Sequence, residues 1–81
     1  LPPMPTLPLR AAVGAAIRHL RGEQGIAQER LAALAGVDRA FFGKLERGES
    51  NPSVETLEKV ALALGVPLDV LFAEVERQRG R

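Results

Sequence analysis

Three observations point to an all-α fold. Ala and Leu are abundant, while the 81-residue chain has three Phe and no Trp or Tyr, a balance that favours helices over half-buried sheets. Apolar residues return every three or four positions, and no segment alternates with the period of two that a strand needs. Gly, Asp, Ser and Pro stand where helices begin and end. The pattern predicts five short helices in one small domain.

Pro2, Pro3, Pro5 and Pro8 fix φ and remove N–H donors, so residues 1–8 are expected to form a flexible Pro-rich arm. Leu9, Val13, Ala16, Ile17 and Leu20 then follow at offsets of 4, 7, 8 and 11, the stripe of a first helix with one buried face. Arg10, Arg18 and Arg21 fall off that stripe, and Gly25 supplies a stop. QERLAALAG places Leu31, Leu34 and Ala35 on one face of a second helix, ended by Gly36 and too short to be stable alone.

Asp38 is a good N-cap for a third helix from Arg39 to Arg47, with Phe42 and Leu45 inward and Gly48 after its end. Asn51-Pro52 marks a turn. Ser53 caps a fourth helix carrying Val54, Leu57, Val60, Ala61 and Leu64, which Gly65 ends; Pro67 opens a fifth with Leu68, Leu71, Phe72 and Val75. The domain is expected to span residues 9–76, followed by a basic tail at 77–81.

Charge and composition exclude several function classes. With no Cys and a single His, His19, neither a disulfide framework nor a Cys/His zinc site is available, so the fold must rest on packing, and a dimer is expected. No apolar run approaches the roughly 20 residues of a membrane span. The start, LPPMPTLPL, does not read as a secretory signal, and a cytoplasmic location is expected. Net charge is +1, but unevenly spread: seven Lys/Arg against five Asp/Glu over residues 1–50, then Lys59 alone against five acids from Pro52 to Glu76. An anionic partner should therefore meet the first half. No Gly-rich phosphate loop, HExxH, Cys nucleophile or Ser/His pairing is present, so an enzyme is not expected.

The twenty residues from Gln28 to Arg47 hold the most information. Two helices crossing steeply over a tight turn need a small residue where they approach, supplied by Ala32, and a residue that accepts positive φ, supplied by Gly36; Val37 then plugs the core. Leu31, Ala35, Phe42 and Leu45 close the inner faces. Arg39, Ala40, Gly43, Lys44 and Arg47 are left outward, a basic and sterically lean strip suited to a groove. A merely solvated face would also explain these charges; the frame around them favours the groove.

The run GIAQERLAALAGVDRAFFGKLERGESNPSVETLEKVALALGVPLDVLF resembles the helix-turn-helix domain of the Cro/C1-type (XRE) repressor family. The resemblance covers about residues 9–76 and is carried by Gln28, Leu31-Ala32, Ala35-Gly36-Val37, Leu45-Glu46-Arg47-Gly48, Asn51-Pro52-Ser53 and Ala63-Leu64-Gly65-Val66. Val37-Asp38-Arg39-Ala40-Phe41-Phe42 is similar to controller proteins of restriction–modification systems.

The resemblance implies a lambda-repressor-like five-helix domain and a transcriptional regulator, usually a repressor, acting on an inverted-repeat operator as a homodimer. Its third helix would lie in the major groove of double-stranded DNA, with Arg39, Ala40, Gly43 and Lys44 toward base edges and Arg39 best suited to guanine. Gln28, Phe41, Arg47 and Asn51 would face the backbone, with Gln28 also bracing the recognition helix. Arg21 and Glu46 match a structural ion pair, and Leu71, Phe72 and Val75 are candidates for a dimer seam. No metal, cofactor or small-molecule ligand is expected. Two departures stand out: Ala27 replaces the usual Ser/Thr cap of the second helix, and the basic residue the family often places near Ala15 and Ala16, where the first helix could reach the DNA backbone, is absent. A protein-interaction module on the same fold, such as an antitoxin or an adaptor, is the alternative.

Overall fold

The computed structural model describes residues 7–80. It contains α1 (Leu9–Gln24), α2 (Gln28–Ala35), α3 (Arg39–Glu46), α4 (Val54–Leu64) and α5 (Leu68–Gln78), and no strand among the described residues. Of the arm expected over residues 1–8, only Leu7 and Pro8 lie within the described residues; Leu7 packs partly buried against the core, and Pro8 is the N-cap of α1. Arg77 and Gln78, expected in the tail, lie on the last turn of α5.

The ends of the helices follow from local chemistry. Asp38 accepts from Phe41 N at 3.1 Å, and Ser53 accepts from Thr56 N at 3.1 Å, each satisfying a donor that a helix start leaves open. Ala27 caps α2 without a side-chain bond. Gly36 ends α2 at φ 69° and its N–H reaches Ala33 O, while Val37 N donates to Ala32 O at 2.9 Å. That left-handed conformation is one a side chain with a Cβ adopts at a cost.

α1 is the centre of the molecule: α3, α4 and α5 all pack on it, while α2 rests on α3 and α4. Ala12, Val13, Ala16, Ile17 and Leu20 of α1 join Leu31, Phe42, Leu45, Leu57, Val60, Leu64, Leu71 and Val75 in one continuous core. Gly14 lets α1 and α3 come together: a methyl group there would sit 2.4 Å from Leu45 O and 2.6 Å from Glu46 O. The carbonyl end of α3 is thus pressed onto the flank of α1.

Four residues placed on apolar stripes by their spacing are exposed: Leu9, Leu34, Val54 and Phe72. Leu9 lines an open groove of about 350 Å³ with Pro8, Arg10, Val13, Asn51, Pro52, Leu57 and Phe72. Leu34 lies roughly 100° around α2 from the face formed by Leu31, Ala32 and Ala35, given 100° per residue. Val54 is the first residue of α4, at the helix's open end. Among the described residues no helix is long and apolar enough to cross a membrane.

Candidate nucleic-acid interface

α2 and α3 form a helix–turn–helix whose inner side is apolar. Leu31, Ala32, Ala35, Phe42 and Leu45 are all buried, and Phe41 is half-buried with its ring against the core. Short as they are, the two helices are held by this packing rather than by propensity. Arg39, Ala40, Lys44 and Arg47 remain exposed on the outer side.

Gly43 departs from the outward placement that its spacing suggests. It is buried, covered by flexible side chains: a methyl group on it would lie 3.2 Å from Arg47 Nη1 and 3.9 Å from Gln28 Oε1. Arg39, Gly43 and Arg47 follow one another at single-turn intervals, so the Arg47 side chain folds back over the glycine. A larger residue at position 43 would have to push it aside.

Beneath this strip sits a buried carboxylate. Glu46 is 3% exposed and accepts from Arg21 Nε at 2.7 Å, Arg21 Nη2 at 3.1 Å and Gln28 Nε2 at 2.9 Å. Arg21 also donates to Ile26 O at 2.9 Å, and Arg18 Nη1 donates to Glu46 O at 3.2 Å. A buried charge is tolerated when paired and hydrogen-bonded, and here the partners come from α1 and α2. Gln28, expected to brace the recognition helix, is half-buried and does so at the helix's carboxyl end.

The outer cations differ in their surroundings. Arg39 Nη1 lies 3.1 Å from Glu29 Oε2, and Arg47 Nε lies 3.2 Å from Glu49 Oε2. Among the described residues no carboxylate pairs with Lys44. Asn51 is exposed in the loop after α3. Near the start of α1's second half, Ala16 is buried in the core and Ala15 is half-buried, while the exposed Arg18 reaches Glu46 O.

Of the residues considered for a dimer seam, Leu71 and Val75 are 0% and 2% exposed. They are shut inside the protomer because α5 lies along α1, so they present no surface to a second copy. Phe72 is 40% exposed and borders the groove beside Leu9. Among the described residues no group of three or more His, Cys, Asp or Glu is arranged to hold a metal ion.

Two further interactions join residues that the sequence pattern does not single out as partners. The Arg39–Glu29 pair joins the start of α3 to the first turn of α2, and only the crossing of the two helices makes them neighbours. The Glu74 carboxylate on α5 is buried and meets Gln78 Nε2 at 2.8 Å, Arg77 Nε at 3.0 Å and His19 Nε2 of α1 at 4.0 Å. The i,i+3 and i,i+4 spacings to Arg77 and Gln78 were visible signals; the link to His19 was not.

Residues 17–71 match a family model described as helix-turn-helix. The chain is 40% identical over 57 residues to the HTH-type transcriptional regulator SutR of Escherichia coli (strain K12), covering 70% of this chain and 32% of SutR. It is 32% identical over 71 residues to the control protein C.MunI of Mycoplasma sp., covering 86% of this chain and 96% of C.MunI. It thus spans about a third of one relative and nearly all of the other. Among solved structures, the restriction–modification controller protein C.Esp1396I, seen as a tetramer in complex with its natural 35 base-pair operator, superposes with a TM-score of 0.82 at 30% identity, covering 88% of this chain and 93% of that one.

Proposed function

From the premise that the chain belongs to the helix-turn-helix family of XRE-type regulators, we propose that it is a sequence-specific DNA-binding transcriptional regulator, a repressor acting as a homodimer on an inverted-repeat operator. One observation carries the reading: the α2–α3 unit turns its apolar side into the core and leaves Arg39, Ala40, Lys44 and Arg47 exposed along one helix. Such a strip fits a major groove, where a guanidinium can donate twice to guanine O6 and N7 and an ammonium can serve a phosphate. That C.Esp1396I is seen in complex with its operator supports operator binding here.

In this reading Arg39, Ala40, Gly43 and Lys44 lie on the side toward the base edges, Lys44 reaching a phosphate from there, with Gly43 admitting the close approach once Arg47 swings to a phosphate. Gln28, Phe41, Arg47 and Asn51 lie toward the backbone. Two α3 helices related by a two-fold axis would address half-sites about 34 Å, or roughly 10 base pairs, apart. Of the seam candidates Phe72 remains, on the rim of the apolar groove. Each phosphate neutralised adds affinity, and pairing two protomers doubles the contacts made to one duplex.

The test is selection of fragmented genomic DNA from the source organism on the purified protein at two salt concentrations. An enriched inverted repeat with half-site centres about one turn apart is the expected result. Retention with no common motif, lost at the higher salt, would overturn it in favour of an interaction module.

A further inference from the structure

Arg39 is the residue best placed to read a base, and a carboxylate from α2 stands beside it. Its Nη1 lies 3.1 Å from Glu29 Oε2, although the two side chains are 73% and 64% exposed. Asp38, its neighbour in sequence, is already engaged as the cap of α3. Arg47, at the far end of the strip, has its own carboxylate in Glu49. The carboxylate that meets Arg39 therefore comes from the other helix of the unit.

A guanidinium has five N–H donors in a rigid plane. Once Nη1 is taken by a carboxylate, the edge formed by Nε and Nη2 is left, and that edge matches the O6/N7 pair of guanine. Arginine otherwise loses much side-chain freedom when it docks; a partner that already restricts it reduces that loss. Between exposed groups the pair is weak, but it strengthens where a bound duplex excludes water.

We propose that Glu29 is a positioning residue for base reading: it holds the Arg39 guanidinium so that the Nε–Nη2 edge is presented to a guanine. The proposal rests on the operator reading given above. It assigns a specificity role to an acidic side chain whose charge alone would repel the phosphate backbone. Glu29 therefore favours the correct site over unrelated DNA twice: it orders the reading arginine, and it penalises contacts made by charge alone.

The parent, Glu29→Gln, Arg39→Ala and the double variant are titrated by fluorescence anisotropy against the selected operator, its single base-pair substitutions and an unrelated duplex at one salt concentration. Glu29→Gln is expected to lower the preference for guanine by about threefold or more, at the same base pair whose preference Arg39→Ala abolishes, a part of what one bidentate contact supplies. Its binding to the unrelated duplex should hold or rise. In the Arg39→Ala background, Glu29→Gln should leave the preference profile unchanged. A Glu29→Gln variant that binds operator and unrelated duplex more tightly by one common factor, with the parent's base preferences intact, overturns the proposal and leaves Glu29 a general repeller of DNA. A parent with no base preference anywhere in the panel overturns the operator reading itself, and this proposal with it.

Discussion

Arg21 and Glu46 stand twenty-five residues apart and are joined by two hydrogen bonds of 2.7 and 3.1 Å, the planar fork of one side chain meeting the carboxylate of the other. Glu46 ends α3, and Arg21 lies near the end of α1. Gln28 completes the arrangement from α2. One carboxylate therefore ties three helices together beneath the basic strip.

Removing one partner of such a pair leaves an uncompensated charge. Arg21→Ala should lower stability by about 3–5 kcal/mol, the range for breaking a buried ion pair. Arg21→Lys keeps the charge but loses the fork, and should fall between the parent and Arg21→Ala. Urea unfolding followed by circular dichroism gives both values. A loss under about 1 kcal/mol, the range of an exposed pair, would show that Glu46 is not the tie described.

Gly14→Ala should destabilise the fold by about 1–3 kcal/mol, the range for overpacking, because the added methyl meets backbone oxygens of α3 that cannot turn away. Gly22, also within α1, has nothing within 4 Å of its Cβ position. Gly22→Ala should be stabilising by up to about 1 kcal/mol through helix propensity alone. Thermal melts of the two variants against the parent check the opposite signs.

Ala27→Ser should add the missing cap of α2. The backbone at Ala27 is already extended, with φ −66° and ψ 149°, the conformation that an N-cap serine uses. A gain of about 0.5–2 kcal/mol is expected. Equal unfolding midpoints for parent and variant would show that water satisfies those amides as well as a hydroxyl does.

Acid should weaken the α1–α5 junction. Burial of Glu74 works against its charge, but hydrogen bonds from Gln78 and Arg77, with the charges of Arg77 and His19, outweigh it and hold the carboxyl below its ordinary value. A group whose folded value is depressed contributes stability above the unfolded value, and that contribution is lost as pH falls through the folded value. Stability attributable to Glu74 should therefore be constant near neutrality and decline below about pH 4.5. Glu74→Gln should be less stable than the parent at pH 7 and show a flatter acid limb in unfolding measured from pH 7 to 3.

On DNA, Lys44→Ala and Arg39→Ala should separate. Lys44→Ala is expected to weaken binding to all sequences alike and to reduce the slope of log K against log salt by about one. Arg39→Ala should relax preference at one base pair, a discrimination of about 1–3 kcal/mol. Identical specificity profiles for parent and Arg39→Ala would remove Arg39 from base reading.

Much of this architecture was legible in the residues, because the signals were local. Asp38 and Ser53 cap where a short polar side chain precedes an apolar stripe, and Gly36 turns where the second helix runs out. What spacing alone could not give was which faces other helices would cover. Leu9, Leu34 and Val54 share the period of the core yet stay exposed, while Leu71 and Val75, weighed as seam residues, are claimed by α1. The same limit applied to the strip: Gly43 has the right register to face outward, but Arg47 one turn later is long enough to lie over it. Arg21 and Glu46 were linked through a family resemblance, whereas Glu29 and Arg39 had no such guide.

The close seating of Leu45 O and Glu46 O on Gly14 has a kinetic consequence. A recognition helix fixed at its carboxyl end to the longest helix of the domain moves with the whole body, so it has no folding step to complete on meeting a duplex. Encounter should then be limited by diffusion and orientation, about 10⁵–10⁷ M⁻¹s⁻¹ before electrostatic steering, and differences among operators should reside in how long the complex lasts.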